Sequence, residues 1–212
     1  MDLFLKQSDF SDLSCDKVKE ICQSCTKCQL SQGRTKVVFG HGSIPCDLML
    51  IGEAPGADED LQGLPFVGRA GKLLTQILES VGINRPYDIY IANTVKCRPP
   101  ENRAPLAQEQ EACWPYLQAQ IFQFVKPKII LLAGAPAVKA VLKIEEPMTK
   151  IRGEWKKLPG TDIDVMPIFH PAYLLRNPRK DKGSPKWLTW QDTQEVKNAL
   201  NFIHKVRELN AS

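Results

Sequence analysis

No stretch of this chain approaches the roughly 20 consecutive apolar residues that a membrane-spanning helix needs, and the opening Met1-Asp2-Leu3-Phe4-Leu5-Lys6 is too polar for an export signal. A cytosolic (cytoplasmic) protein with no membrane partner is therefore the default expectation. Charge of one sign is not in large excess: 28 Lys and Arg against 24 Asp and Glu leave a net charge of +4. That balance is compatible with nucleic acid but not diagnostic of it. No internal repeat is visible. The loop after the first apolar run lacks a Gly-x-Gly-x-x-Gly pattern, which argues against a dinucleotide-binding Rossmann protein. Histidine is scarce, with only His41, His170 and His204. Cysteine is present, but as 7 residues in a chain without an export signal, which speaks against a disulfide framework.

What is present is enough for one proper hydrophobic core: 212 residues with 43% hydrophobic and 25% charged side chains. A single domain over 1–212 is expected, with 1–24 a polar start and a short helix near Cys15–Cys22, and 25–212 the core. Apolar runs at 47–52, 87–92, 128–133 and 163–169 read as buried strands. Helical patterns fall between and after them at 69–82, 106–125, 135–143 and 189–209. Leu73, Leu74, Ile77, Leu78 and Val81 share one side of the first, with Gly82 as its stop; Pro115 marks a local irregularity in the second. Residues 33–46 and 53–68 read as loops. The alternation predicts an α/β fold with three α/β/α layers around a central four-stranded parallel sheet.

Cys22, Cys25 and Cys28 form two overlapping Cys-x-x-Cys pairs, while Cys97 and Cys113 stand alone. A tight Cys-x-x-Cys turn can point two thiolates at one metal. A zinc ribbon would bring a second such pair; two isolated cysteines are a looser set, equally compatible with an iron–sulfur cluster, which also takes four thiolates. Unligated core cysteines are the competing reading, and spacing alone does not choose iron over zinc.

Two of the apolar runs empty into polar, proline-stiffened turns. One is Gly52-Glu53-Ala54-Pro55-Gly56, which offers a carboxylate and backbone amides; the other is His170-Pro171-Ala172-Tyr173-Leu174-Leu175-Arg176, which offers an imidazole. In α/β sheets such strand ends are where ligands sit. The segment 177–186 places Arg179, Lys180, Lys182 and Lys186 among Pro, Gly and Ser. It reads either as a solvated loop or as a phosphate-contacting one. Asp58 and Asp60 read as a solvated acidic face.

Taken in order, Cys25-Thr-Lys-Cys28, Gly33-Arg-Thr-Lys-Val-Val-Phe-Gly40, Gly52–Gly56, Pro65-Phe66-Val-Gly-Arg-Ala-Gly71, Asn93-Thr-Val-Lys-Cys-Arg-Pro-Pro-Glu-Asn-Arg103 and His170–Arg176 give the chain a strong resemblance, from about Cys25 to Val206, to the family 4, cluster-bearing uracil-DNA glycosylases. The resemblance implies a DNA-repair hydrolase that flips uracil out of DNA, cleaves its N-glycosidic bond and leaves an abasic site in base excision repair. It implies a four-iron, four-sulfur ([4Fe–4S]) cluster on Cys25, Cys28, Cys97 and Cys113, with Cys22 as an extra thiol. The cluster would pin loops that approach DNA and place Arg98 and Arg103 near the phosphate backbone.

The chemistry of uracil release assigns four tasks to the matching positions. Asn93 carries both an acceptor and a donor, so it can pair with the N3–H and O4 edge of uracil and reject cytosine. Phe66 would stack on the base. His170 would donate to O2 as negative charge develops on the departing uracil. Glu53, with Glu59 as a second carboxylate, would orient water and favour the sugar cation. The main chain of Gly52, Glu53 and Ala54 would line the uracil pocket, and Pro55 and Gly56 would shape the turn for close approach of the DNA strand. Tyr173, Leu174, Leu175 and Arg176 look like the family's DNA-penetrating loop, a wedge that fills the gap left by the extruded base. A sliding clamp or another repair protein is a candidate partner besides uracil-containing DNA, and a monomer is the expected state. The readings to be weighed against this one are a non-catalytic iron–sulfur DNA-binding protein and a glycosylase for another deaminated base. A third, a branch trapped covalently on uracil-DNA, carries a His-containing basic loop, and 96–105 has no His.

Overall fold

The computed structural model describes residues 10–211; the polar start expected before residue 10 lies outside the described residues. Helix α1 spans Cys15–Gln23, and its first turn is capped by the Ser14 hydroxyl, which accepts from the Lys17 amide. A short α2 (Leu30–Gly33) follows, then β1 (Leu48–Gly52), α3 (Ala57–Gln62), α4 (Arg69–Ser80) and β2 (Tyr90–Asn93). Beyond them lie α5 (Ala107–Ala119), β3 (Ile129–Ala133), α6 (Ala135–Leu142), α7 (Met148–Ile151), β4 (Lys156–Lys157), β5 (Asp164–Ile168), α8 (Pro171–Arg176) and α9 (Pro185–Ala211).

The sheet order is β2-β1-β3-β5-β4. The four strands expected from sequence pair in parallel, with Gly52 beside Asn93 and Ala133 beside Ile168. The expected four-stranded sheet gains a fifth member, since β4 pairs antiparallel with β5 at the edge. Two consecutive lysines carry no apolar pattern, so β4 exists only because β5 offers it an edge.

Side-chain alternation divides the core between the two faces of the sheet. Met49, Ile51, Ile130, Leu132 and Val165 pack with Leu117 of α5 and Val138 and Val141 of α6. Leu48, Leu50, Ile91, Leu131, Met166 and Ile168 face the other way, onto Leu74 and Leu78 of α4 and Val196 and Leu200 of α9. This is the three-layer α/β/α arrangement. Because the helix after β1 packs on one face and the helix after β3 on the other, the chain reverses its winding between these neighbours. That reversal opens a crevice at their carboxyl ends.

Several local expectations needed correction. The supposed loop 53–68 contains α3, whose one large apolar side chain, Leu61, is exposed, so it has no hydrophobic period to read. The helix is held by polar bonds instead. Asp60 is buried, not part of a solvated face: its carboxylate accepts from the Thr35 and Lys36 amides and anchors the 33–38 segment. Pro115 sits within regular α5, and the irregularity comes later, as a π-helical turn at Gln120–Val125. The second strand starts at Tyr90 rather than at 87, where Tyr87 is exposed. The last helix begins at Pro185 and takes in Lys186.

Candidate active site

The carboxyl ends of β1, β2, β3 and β5 surround a cavity of about 830 Å³. Its wall includes Glu53 and Ala54 after β1, Asn93 closing β2, Gly134 after β3, and Phe169 and His170 after β5. Phe66, Glu59, Gly56 and, at its rim, Tyr173 and Arg176 complete the predicted members. Asn102, Pro147, Met148 and Thr149 also line it and were not singled out from sequence. Asn102 lies within the Asn93–Arg103 motif but was assigned no task there, and Pro147, Met148 and Thr149 carry no motif; the fold of the 96–106 loop and of α7 brings them there.

Asn93 is buried, and its Oδ1 has no hydrogen-bond partner. An acceptor left so costs roughly 1–3 kcal/mol, an expense that a ligand donating an N–H would remove. Gly52 stands opposite: a Cβ there would lie 2.5 Å from Asn93 Oδ1 and 2.7 Å from Phe66 Cζ. Only glycine leaves the slot between the amide and the aromatic ring open.

Phe66 is almost fully buried and has a left-handed φ of +51°. For a bulky side chain that conformation costs on the order of 1–3 kcal/mol and persists only where the surroundings dictate it. Part of the support is Glu59. Its Oε1 accepts from the Val67 amide at 2.9 Å and the Gly68 amide at 3.0 Å, and its Oε2 from the Gly56 amide at 3.2 Å. Both oxygens are thus occupied by main chain, so the second carboxylate braces the Phe66 loop. The Phe66 and His170 rings lie 5.8 Å apart and tilted by 38°.

His170 caps the start of α8. Its Nδ1 accepts from the Ala172 amide at 3.1 Å, which leaves the proton on Nε2. Burial, reinforced by the Arg176 charge and opposed by Glu59, holds its pKa down to about 4. The ring is thus a neutral donor at ordinary pH. Burial alone pushes the Glu53 carboxyl above its usual value. The Glu53 carbonyl accepts from the Thr94 hydroxyl at 2.6 Å, tying the ends of β1 and β2 together.

The expected DNA-facing residues separate into two groups. Leu174 is not a wedge: it is fully buried, packed with Ile77 and Phe169, while Leu175 and Tyr173 are half-exposed and Arg176 exposed. Consecutive helical positions point about 100° apart, so one leucine anchors α8 and the next faces outward. Pro55 is buried beneath the turn it shapes. Arg103 is taken up by a two-pronged bond to the buried Glu109 (2.9 and 2.6 Å), whose Oε2 also accepts from the Leu106 amide at the start of α5. Arg98 bonds Asn102 Oδ1 at 2.8 Å, and Arg179 pairs with Asp181.

Cys28, Cys97 and Cys113 share a small apolar cluster with Leu30 and Val95. The Cys97 thiol feels Cys28 and Cys25, and the Cys113 thiol feels Cys97 and Cys28. Burial pushes Cys113 up to about 12 and raises Cys97, where Arg34 Nη1, 3.3 Å from the sulfur, opposes the rise. Cys22 is buried beside the same group. Among the described residues no three His, Cys, Asp or Glu side chains are grouped as a single ion would require. No described helix is long and apolar enough to cross a membrane.

Comparison with known proteins agrees with this geometry. Residues 39–194 match the model of the uracil DNA glycosylase superfamily. The chain is 46% identical over 192 residues to a type-4 uracil-DNA glycosylase of Thermotoga maritima, an alignment spanning 89% of this chain and 94% of that protein. It is 45% identical to the type-4 enzyme of Sulfurisphaera tokodaii, over 80% of this chain and 79% of the other. With that of Saccharolobus solfataricus it shares 40% identity, over 91% and 88% respectively. The crevice at the sheet's carboxyl ends, the residues that close it and these relatives together place the chain in the uracil-DNA glycosylase superfamily, among the type-4 uracil-DNA glycosylases.

Proposed function

We propose that the protein is a uracil-DNA glycosylase that draws uracil out of DNA into the 830 Å³ cavity and hydrolyses its glycosidic bond. The observation that carries this reading is the orphaned, buried Oδ1 of Asn93 across a glycine-wide slot from Phe66. The N3–H of uracil satisfies that oxygen and the amide's N–H reaches O4; cytosine, with an unprotonated N3 and an amino group at C4, reverses both roles and fits neither.

As the C1′–N1 bond breaks, the sugar gains positive charge and uracil leaves with the bonding electrons. Neutral His170 donates from Nε2 to uracil O2, where the negative charge accumulates. Glu53 orients the water that attacks C1′ and takes its proton; its raised pKa makes it a better base. Phe66 holds the base by stacking, and Leu175, Tyr173 and Arg176 face the DNA. Cys25 and Cys28 come from one turn and Cys97 and Cys113 from two further segments, and Cys28, Cys97 and Cys113 meet in one apolar cluster. Four cysteines so assembled are the donor set that a [4Fe–4S] cluster takes, and Cys25, Cys28, Cys97 and Cys113 would hold it. When bound, it supplies a cross-link among these segments rather than a reacting atom.

The test is base release from a single-uracil oligonucleotide beside a matched cytosine control. Uracil release leaving an alkali-labile abasic site is the expected result. No release from single strands or from U·A and U·G duplexes, with the visible spectrum of the protein intact, shifts the function to another lesion or to DNA binding without catalysis.

A further inference from the structure

Phe66 lies in a strained conformation, its ring packed in the core and its loop only partly covered by neighbouring side chains. A second pocket of about 310 Å³ opens there, lined by Leu64, Phe66, Val67, Lys72 and Arg85 among others. Across it Arg85 makes directed bonds. Its Nη1 donates to the Phe66 carbonyl at 3.0 Å and to Thr75 Oγ1 at 2.9 Å, and its Nη2 donates to the Pro65 carbonyl at 2.9 Å. Thr75 in turn donates to the Gly71 carbonyl at 3.1 Å. Gly71 is where α4 meets the loop: a Cβ on it would overlap the Phe66 carbonyl.

Glu59 holds the amides that follow Phe66, and Arg85 holds the carbonyls at and before it. The peptide after Phe66 is therefore gripped at both ends, its carbonyl by Arg85 and its amide by Glu59, and the carbonyl of the peptide before it by Arg85. Arg85 does not line the catalytic cavity and touches no reacting atom. Lysine carries the same charge but not the planar fork that reaches two successive carbonyls and a hydroxyl.

We propose that Arg85 is a positioning residue of uracil recognition, fixing the height and tilt of the Phe66 ring by clamping the Pro65 and Phe66 carbonyls to Thr75 of α4. The proposal rests on the reading of Phe66 as the stacking face. It follows that Arg85 acts on the base only through Phe66.

The experiment is a double-mutant cycle of Arg85→Lys and Phe66→Ala, read by uracil-release kinetics, by affinity for free uracil and by affinity for abasic DNA. Arg85→Lys is expected to lower kcat roughly 10–100-fold, as a displaced binding wall does. It should weaken free-uracil binding in parallel and leave abasic-DNA affinity unchanged. In the Phe66→Ala background it should cost nothing further. Thr75→Val, which removes one arm of the clamp and keeps the arginine, should move the same two quantities in the same direction, and it carries the test should Arg85→Lys fail to fold. Losses that add across the cycle, or unchanged free-uracil affinity in both clamp variants, overturn the proposal. If Phe66→Ala itself leaves turnover and uracil affinity unchanged, the stacking reading falls and takes the clamp with it; additive losses beside a strong Phe66→Ala effect remove the clamp alone.

Discussion

His170 combines two properties that matter for a leaving group: a proton fixed on Nε2 by the Ala172 amide, and no net charge until the pH falls to about 4. A donor aimed at developing negative charge is worth about 3–4 kcal/mol, or roughly 10²–10³ in rate. His170→Ala should therefore lose that much of kcat while keeping its affinity for DNA; near-normal turnover would take the ring out of the mechanism. The acid side of the pH profile should belong to another group. Glu53 titrates above the usual 4.5 because it is buried, so it loses its charge as the pH falls, before His170 gains one. The acid limb of kcat/KM is expected above pH 4.5, and Glu53→Gln, though slow, should show no such limb. A limb that persists in that variant would assign it to a different residue. At this scale the sequence was informative where chemistry and strand ends coincide, as at Glu53, Asn93 and His170. It could not show that Glu59 spends both oxygens on backbone amides, because Val67 and Gly68 meet it only through a folded loop.

Helix α8 divides its residues between two jobs. Leu174 is buried against Ile77 of α4 and Phe169, whereas Leu175 is half-exposed on the outward face. Truncating a buried leucine costs about 2–5 kcal/mol, so Leu174→Ala should lower the stability measured by denaturant unfolding. Leu175→Ala should leave stability nearly unchanged and weaken capture of uracil in duplex DNA more than in single strands. The reverse pattern would mean that the helix is seated differently. From sequence the four residues Tyr173–Arg176 looked like one wedge, because a six-residue helix is too short for its apolar period to declare a face. The same limit hid α3 and β4, whereas β1, β3 and α4 were legible because each repeats one burial pattern along its length.

At the scale of the whole molecule, the cysteine-bearing segments 22–38, 93–103 and α5 meet beside the strand end that carries Asn93. Lys96, fully buried, donates to the Asn93 carbonyl at 2.8 Å and to Gln120 Oε1 at 2.6 Å, so the two regions share a scaffold. Cys97→Ala should bleach the visible absorbance of a cluster and lower the melting temperature; an unchanged spectrum would show that Cys97 is not a ligand. The amino-acid sequence by itself determined the layered α/β architecture and the strand ends that face the crevice. Burial period and motif order are local properties, and they survive being read along a line. Only the tertiary structure decided which polar groups were already occupied. Asp60 was taken by the 33–38 amides, Arg103 by Glu109 and Glu59 by the Phe66 loop, while the buried Asn93 Oδ1 was left without a partner at the cavity wall. Each of those outcomes is a competition for a hydrogen bond, and its winner depends on which distant segments the fold brings within about 3 Å.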